Sequence, residues 1–201
     1  MTPQQASRLL DFVELLMRWN RTYNLTAIRD LQHMLSHHVV DCLAAVAPLR
    51  RKLAGRSSPR ALDVGSGGGL PGVVFAVMDP TLHVTCVDSV GKKAAFVQQV
   101  SASLGLDNLV ARHVRVESLA DGRYDVIACR AFASLVDFTG LSARLLKSNG
   151  CWLALKGKVP TAEISALPSS VEVFHVEHLV VPGVDGERCL VWMRPAADRK
   201  A

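Results

Sequence analysis

The sequence predicts an α/β protein: a seven-stranded, mostly parallel sheet that ends in an antiparallel hairpin and is preceded by a helical segment. Three observations support this fold class. Residues 60–64 form an apolar run that leads into a glycine-rich turn and a second apolar run, as expected for a strand, a tight turn and a helix. Four further strand-like runs, at 82–87, 110–116, 124–129 and 151–155, alternate with helical stretches. The last two strand-like runs, 171–181 and 188–193, have no helix between them and should pair antiparallel.

The first 57 residues are predicted to form a basic helical cap on a second unit, residues 58–201, that holds the sheet. Thr2 and Pro3 can begin a first helix, and apolar residues at positions 9, 12, 13, 16 and 17 give that helix one buried face. A polar turn over 20–27 precedes a second helix, which is predicted to run from about Asp30 to Pro48. A short linker rich in glycine, serine and proline, residues 55–59, leads into the sheet.

Three histidines and an aspartate on the second predicted helix raise the question of a metal site. They are His33, His37, His38 and Asp41. A zinc site needs three or four ligands and a supporting shell of hydrogen bonds, and the sequence offers no clear set. We therefore expect no metal and predict that His38 and Asp41, three residues apart on one helix face, pair with each other.

The turn after the first strand has four glycines among residues 65–69, so its backbone can turn sharply and approach a ligand closely. Two patterns fit it equally well. Gly67, Gly69 and Gly72 match the G-x-G-x-x-G of dinucleotide-binding proteins. Asp63 with the glycines at 65, 67 and 69 matches the D-x-G-x-G-x-G of S-adenosylmethionine (SAM) methyltransferases. Pro71 suits the first turn of the following helix, whose free N–H groups are predicted to hold a polar or anionic ligand group.

Polar side chains follow successive strands, at the edge where open α/β sheets bind ligands. Asp88 ends the second strand and is predicted to accept hydrogen bonds from a ribose, although it can also cap the next helix, 90–104. Glu117, after the third strand, can accept from an adenine amino group, and Arg130 ends the fourth strand. Ser134 begins a helix that we expect to close at residues 149–150, and a short helix over 160–167 follows the fifth strand.

The terminal hairpin separates the two cofactors that the glycines leave open. Both NAD and SAM carry a ribose, so Asp88 does not distinguish them. A nicotinamide dehydrogenase would be expected to continue with strand–helix–strand units. Five strand–helix units followed by an antiparallel hairpin instead match the Rossmann-like, seven-stranded sheet of class I SAM-dependent methyltransferases.

Composition limits the class of protein. The chain has 201 residues, of which 49% are hydrophobic, which suits one substantial domain with a small appendage. We find no secretory signal pattern at its start and no apolar run of the ~18 residues that span a bilayer. Its five cysteines are scattered. We therefore expect a cytoplasmic protein with reduced thiols and no membrane partner. Composition does not determine the oligomeric state, for which a monomer is our working expectation.

The positive charge is confined to the front of the chain. Residues 1–60 hold nine Lys and Arg against four Asp and Glu, a balance of +5, whereas residues 61–201 hold fourteen against fourteen. A basic segment beside a cofactor domain is typical of proteins with a polyanionic partner. A solvated, solubilising face would give the same balance, and charge alone leaves the two readings even.

Short motifs spread over residues 10–194 are similar to those of one family. They are WNRTYNLTAI (19–28), HHVVDCL (37–43), DVGSGGGLPG (63–72), VDSVGKK (87–93), RVES (115–118), CRAFASL (129–135), LKG (155–157) and PGVDGER (182–188). The glycine turn alone is weakly specific. In this combination the chain resembles the bacterial 16S rRNA (guanine-N7) methyltransferase G family, also called glucose-inhibited division protein B.

The resemblance implies SAM as methyl donor and N7 of a guanine in 16S rRNA, guanine 527 of the 530 loop, as acceptor. It implies that SAM is held by residues from several strand ends, namely Gly65, Leu70, Val116, Glu117 and Arg130. The glycine turn and the second strand end add Gly67 and Asp88. N7 carries a lone pair and no proton, so we expect no general base, and Arg130 is predicted to act catalytically by positioning, on either the SAM carboxylate or guanine O6. Cys129 is expected to be a buried apolar residue rather than a nucleophile.

The 16S rRNA, or the small ribosomal subunit, is expected to bind basic residues around the cleft that is predicted beside the glycine turn and the strand ends. These are Arg18, Arg21, Arg29, Lys92, Lys93, Lys156, Lys158 and Arg188, together with Arg50, Arg51 and Lys52. Phe132 is a candidate for stacking on the base, or for the core. Three alternatives remain open: a SAM enzyme with another RNA, a protein or a small molecule as substrate, a non-catalytic RNA-binding module, and an NAD-dependent oxidoreductase, which the hairpin disfavours.

Overall fold

The sheet has seven strands, and the predicted fold class is confirmed. The computed structural model describes residues 1–120 and 122–197. The strands are β1 (Arg60–Val64), β2 (His83–Asp88), β3 (Leu109–His113), β4 (Tyr124–Cys129), β5 (Leu146–Lys156), β6 (Val171–Leu179) and β7 (Arg188–Pro195). They lie side by side in the order β3-β2-β1-β4-β5-β7-β6. The first five are parallel, and β7 is antiparallel to both of its neighbours, β5 and β6.

Helices connect the parallel strands and precede the sheet. They are α1 (Pro3–Tyr23), α2 (Leu31–Met34), α3 (Asp41–Leu43), α4 (Val46–Leu53), α5 (Gly72–Met78), α6 (Gly91–Leu104), α7 (Leu135–Ser142) and α8 (Thr161–Ser165). A π-helical segment, Leu35–Val40, joins α2 to α3, and 3-10 turns cover Val116–Ser118 and Ala143–Leu145. Within the described ranges, no helix has both the length and the apolar character needed to cross a membrane.

Both faces of the sheet are covered, because its strands are apolar on both sides. On one face, α1 and α3 to α6 enclose a core that includes Phe12 and Phe96, whose ring centroids are 6.2 Å apart. On the other face, α7 packs Phe138 against Trp152 and its neighbours. Such double burial explains why the strands appear in the sequence as near-continuous apolar runs. The division into units 1–57 and 58–201 stays a prediction, and the last four residues of the second unit lie outside the described residues.

Helix α1 runs antiparallel to α5, and its carboxyl end therefore reaches the edge of the sheet where the parallel strands end. Thr2 and Gln5 form the reciprocal cap at its start, as predicted for Thr2. Near the same end, the Gln5 amide donates to the Met78 carbonyl at 3.1 Å, at the far end of α5. Further along α1, Leu16 packs beside Gly68 of the glycine turn. The polar turn that follows α1 is thereby brought to the glycine turn.

The predicted second helix is wrong in its bounds. Asp30 does cap α2, with its carboxylate accepting from the His33 N–H at 2.9 Å. The helix then widens into the π-helical segment and turns at residues 44–45 before α4 begins. Pro48 lies in the first turn of α4, where its missing N–H removes no helical bond. The basic positions 50–52 are consequently inside a helix rather than after one.

Two further boundaries differ from the prediction. Strand β3 ends at His113 rather than at 116, because the Arg144 guanidinium donates to the carbonyls of Val116, Glu117 and Leu119 and turns that segment away from the sheet. The helix after Ser134 ends before residue 146, and residues 149–150 lie inside β5. Gly150 serves close packing there, since a Cβ would lie 2.9 Å from the Tyr124 carbonyl oxygen.

Candidate functional site

The glycine turn lies at the carboxyl end of β1, and hydrogen bonds within the chain hold its shape. The Gly65 N–H donates to the Val87 carbonyl at 2.9 Å, and the Gly67 N–H donates to the Asp88 carboxylate at 2.9 Å. Gly65, Gly67 and Gly69 have φ angles of 65°, 56° and 80°. This left-handed conformation is open to glycine at no steric cost. The turn therefore presents its backbone, without side chains, to the space at the edge of the sheet.

The first two N–H groups of α5 already donate hydrogen bonds to acceptors within the chain. The Gly72 N–H donates to the buried Asp63 carboxylate at 2.8 Å, and the Val73 N–H donates to the Gly69 carbonyl at 2.7 Å. For these donors, the prediction that the start of this helix holds a ligand group is wrong. A dinucleotide pyrophosphate, which normally binds such a helix start, would have to displace Asp63. The geometry thus disfavours NAD for a second reason.

A first cavity, the strand-end cavity, lies between the ends of β1, β2 and β4. It has a volume of about 180 Å³ and is lined by Gly65, Asp88, Val116, Glu117 and Phe132, among others. Asp88 is buried, and its carboxylate accepts from the N–H groups of Gly67 and residue 90, both at 2.9 Å. Each carboxylate oxygen keeps a second lone pair that can accept from a hydroxyl. Asp88 thus braces the glycine turn and still faces the cavity.

A second cavity, the loop cavity, lies between the glycine turn and the helical segment. It has a volume of about 190 Å³, and its lining includes Thr26, His38, Ser66, Lys93 and Arg130. Leu16, Leu70 and residues 65–68 of the glycine turn complete its wall. The Ser66 hydroxyl is buried and has no hydrogen-bond partner among the described residues. That hydroxyl is not accessible from the cavity, whereas the cavity does offer a ligand the Arg130 guanidinium, which suits a carboxylate.

A third cavity, the arginine cavity, lies on the other side of Arg130. It has a volume of about 290 Å³ and is lined by Asp41, Arg130, Lys156 and Arg188, among others. The Lys156 ammonium donates to the Glu163 carboxylate at 2.8 Å, and the Arg188 guanidinium donates to Asp41 at 2.8 Å. The predicted pairing of His38 with Asp41 is therefore wrong. Lys156 and Arg188 are cations held in place by carboxylates.

The three cavities adjoin one another along the edge of the sheet formed by the carboxyl ends of the parallel strands, and together we call them the trough. Gly65 lines both the strand-end cavity and the loop cavity, and Arg130 lines both the loop cavity and the arginine cavity. All the residues predicted to hold a cofactor, Gly65, Gly67, Leu70, Asp88, Val116, Glu117 and Arg130, lie along the first two. A nucleoside with a polar amino-acid tail fits the order of groups along these cavities. Asp88 offers a carboxylate to ribose hydroxyls, the glycine turn offers backbone without bulky side chains, and Arg130 offers N–H groups to the tail.

The other predicted RNA-binding cations differ in exposure. Arg18, Arg21, Arg29, Lys92 and Lys158 are exposed, and Lys93 is half-buried in the loop cavity. Arg50 instead donates to the Met78 carbonyl, Arg51 pairs with Glu177 at 2.6 Å, and the Lys52 ammonium lies 4.8 Å from the Phe174 ring centroid. These contacts hold α4 against the fold, so we leave positions 50–52 out of the proposed RNA-binding set.

Burial controls the protonation of the ionisable groups in the site. It raises the pKa of the Asp63 carboxyl from 3.8 to about 7, and it lowers the pKa of His38 from 6.5 to about 4, with the Arg130 charge acting in the same direction. All five cysteines are free and buried. Burial raises the pKa of the Cys129 thiol, so that it is not a thiolate nucleophile. Its side chain belongs to the apolar core, as predicted.

We expect Asp63 to make the ligand-free chain less stable as pH rises from about 4 to 7. The unfolded carboxyl loses its proton near 3.8, whereas the buried one keeps it to about 7. In this window the folded state binds more protons, and each pH unit lowers the free energy of unfolding by up to about 1.4 kcal/mol. His38 acts oppositely between about 4 and 6.5, because its folded pKa lies below its unfolded value.

Urea unfolding of the wild type and of Asp63→Asn at several pH values isolates this contribution, since His38 is common to both proteins. The free energy of unfolding of the wild type minus that of the variant should fall as pH rises. A difference that stays constant from pH 4 to pH 7 would contradict a buried carboxyl that keeps its proton.

Sequence reasoning missed two residues of the loop cavity, Thr26 and His38. The His38 ring lies between the Thr26 hydroxyl, 2.8 Å from its Nε2, and the Arg130 guanidinium, 3.2 Å from its Nδ1. Their local signal was a polar turn and a histidine on a helix, each of which is common without function. Only the contact with Arg130, 92 positions away along the chain, distinguishes them.

Comparison with known sequences identifies the same family that the short motifs resemble. The profile of the family described as rRNA small subunit methyltransferase G matches residues 5–191. The protein named ribosomal RNA small subunit methyltransferase G from Acidovorax sp. (strain JS42) is 58% identical over 200 residues, which cover 96% of this chain and 88% of that protein. Its namesake from Leptothrix cholodnii is 60% identical over 191 residues, covering 95% and 87%.

Solved structures show the same fold at low identity. TrmN from Thermus thermophilus matches with a TM-score of 0.58 and 20% identity, over 81% of this chain and 53% of that one. A SAM dependent methyltransferase from Aquifex aeolicus matches with a TM-score of 0.58 and 14% identity, over 82% and 93%. At these identities the likeness concerns the fold, which is that of class I SAM methyltransferases.

Proposed function

The chain belongs to the rRNA small subunit methyltransferase G family, and on that premise we propose that it transfers a methyl group from SAM to N7 of a guanine in 16S rRNA. The target proposed within that RNA is guanine 527 of the 530 loop. The trough at the carboxyl ends of the parallel strands carries the proposal, because Arg130 borders both the loop cavity, which contains the glycine turn, and the cation-lined arginine cavity. We further propose that the enzyme acts as a cytoplasmic monomer.

The strand-end and loop cavities hold the donor in this proposal. SAM, when bound, supplies an electrophilic methyl group on a positively charged sulfur. Asp88 accepts from the ribose hydroxyls, Glu117 from the adenine amino group, and Val116 packs against the ring. The bare backbone at Gly65 and Gly67 lets the donor lie close to the turn. Leu70 adds apolar contact at the tail end, on the same cavity wall as Arg130.

The arginine cavity is the place of the acceptor base. Guanine N7 offers an in-plane lone pair and has no proton to lose, so the chain needs to orient the base rather than deprotonate it. Such positioning can supply about 7–11 kcal/mol when the reacting atoms are well aligned. Arg130 borders both the donor cavity and the acceptor cavity, and it offers a planar fork of N–H groups to the donor carboxylate or to guanine O6. Phe132 lies 5.9 Å from Phe138, centroid to centroid, and borders the strand-end cavity rather than the arginine cavity.

Exposed cations around the trough attract the RNA backbone in this proposal. Removing one that contacts a phosphate should make log affinity less dependent on log salt by about 0.7–0.9. We expect this for Lys92→Ala and Lys158→Ala, measured by RNA binding at several salt concentrations. Arg194→Ala is the control, because Arg194 pairs with Glu172 at 2.9 Å at the opposite edge of the sheet. Equal slopes for the wild type, Lys92→Ala and Lys158→Ala would contradict the placement.

A methyl-transfer assay tests the function itself. The purified chain is incubated with SAM that carries a labelled methyl group and with naked 16S rRNA, small ribosomal subunits, protein or metabolite extracts. The expected result is one N7-methylated guanine in the small-subunit RNA. Label in another RNA, in protein or in a small molecule would instead support the alternative substrates. Binding of RNA without any SAM binding by calorimetry would support a non-catalytic module.

A further inference from the structure

The π-helical segment before α3 points at Arg130 from the opposite wall of the loop cavity. In an α-helix the Asp41 N–H would bond the His37 carbonyl. Here it bonds Ser36, five residues back, and His38. The His37 carbonyl accepts from the Arg130 guanidinium at 3.2 Å instead. The widened backbone thus gives up an α-helical contact and directs this carbonyl, with the neighbouring His38 ring, to the arginine that joins the two cavities.

The donors and acceptors around the ring decide which nitrogen carries the proton. Two groups face Nδ1 of His38, each 3.2 Å away: the Arg130 guanidinium, which can only donate, and the His37 carbonyl, which can only accept. A hydrogen on Nδ1 would point toward the charged guanidinium, and the carbonyl already accepts from Arg130, so the charged donor favours an accepting Nδ1. Nε2 then carries the hydrogen and donates to the Thr26 hydroxyl at 2.8 Å. Thr26 is itself fixed, since its N–H donates to the Asn20 side chain at 2.9 Å. The ring is neutral at ordinary pH, because burial lowers its pKa to about 4.

We propose that His38, with its proton held on Nε2 by Thr26, is a positioning residue that orients the Arg130 guanidinium at the border of the donor and acceptor cavities. The role of Arg130 rests on the proposed function, whereas the contact between the two side chains does not. An arginine has a long and flexible side chain, and one acceptor in a fixed ring, together with the His37 carbonyl, restricts it to one direction. The polar turn after α1 thereby contributes to the site without lining the acceptor cavity.

Two substitutions that place an amide atom where one ring nitrogen of His38 lies separate its contact with Arg130 from its contact with Thr26. In His38→Asn the amide oxygen can take the place of Nδ1 and still accept from Arg130. In His38→Gln the amide reaches toward Thr26, and the acceptor for Arg130 is lost. We expect His38→Gln to lower kcat by about tenfold to a hundredfold, the size of a lost bond to a charged group, with KM for RNA nearly unchanged. His38→Asn should recover most of that loss.

The matched control is His33→Gln. His33 lies on the same helical stretch and pairs with Asp30 at 2.9 Å on the exposed surface, so kcat should not change. Melting temperatures of all three variants are measured alongside. Equal loss of kcat in His38→Asn and His38→Gln, or a loss that only follows a lower melting temperature, would overturn the positioning role.

Nitrogen NMR of the ligand-free chain tests the contact without any turnover. The His38 ring should show a protonated Nε2 and an unprotonated Nδ1 in the wild type, and it should lose this preference in Arg130→Ala. A proton on Nδ1 in the wild type would overturn the proposal. Failure to methylate small-subunit RNA would rule out the proposed function without affecting the NMR result. A failure of the proposed function can therefore be distinguished from a failure of the positioning role of His38.

Discussion

Replacing Arg130 with alanine is expected to lower methyl transfer by about a hundredfold or more, which is what misplacing a reacting group by about 1 Å costs an enzyme that works by positioning. Arg130 lines both the loop cavity and the arginine cavity, and its guanidinium is held by His37 and His38. Alanine removes the only side chain that borders both cavities among the residues lining them. Single-turnover rates on small-subunit RNA measure the loss directly.

Arg112→Ala is the matched control for this experiment. Arg112 is an exposed arginine near the end of β3 whose side chain lines a separate groove, which extends to the amino ends of β1 and β2, and it lines none of the three cavities of the trough. Its loss removes the same charge from the protein and should leave the turnover rate unchanged. Wild-type turnover in Arg130→Ala would refute the positioning role, and with it the assignment of the arginine cavity to the acceptor.

Replacing Gly72 with alanine is expected to lower the free energy of unfolding by about 3 kcal/mol, the upper range for forcing an atom into a packed core. A Cβ at this position would lie 2.9 Å from the Asp63 carboxylate oxygen and would overlap the Cys86 sulfur. It would also disturb the bond from the Gly72 N–H to Asp63, both of which are buried. For a chain of this size the melting temperature should fall by roughly 6–12 °C.

Gly140→Ala provides the comparison. Gly140 lies inside α7, and a Cβ there would meet no atom within 4 Å. Alanine should therefore be neutral or stabilise the helix by roughly 0.5–1 kcal/mol. If urea unfolding showed Gly72→Ala to be as stable as Gly140→Ala, the close approach of α5 to Asp63 would be refuted.

Local patterns were sufficient for the sheet, whereas the cofactor residues, most of which rest on the family resemblance, stay predictions. Apolar runs identified the central strands because these are buried on both faces, and the half-buried edge strands β3 and β6 still showed apolar residues at alternating positions. Boundaries were wrong where a distant side chain intervened. The third strand ends early because Arg144, from beyond the fourth strand, binds the carbonyls of the segment after it. No pattern within residues 110–118 records that contact.

The sequence by itself determined the fold class, the glycine turn and the polar strand ends, since these depend on backbone preferences and on neighbours a few residues away. Only the tertiary structure decided how the cations are used: Arg188 pairs with Asp41, 147 positions earlier, and Arg130 meets His38, 92 positions earlier. Such pairs follow from how the helical segment packs on the sheet. A side chain's partner is set by that packing, which spacing along the chain does not encode.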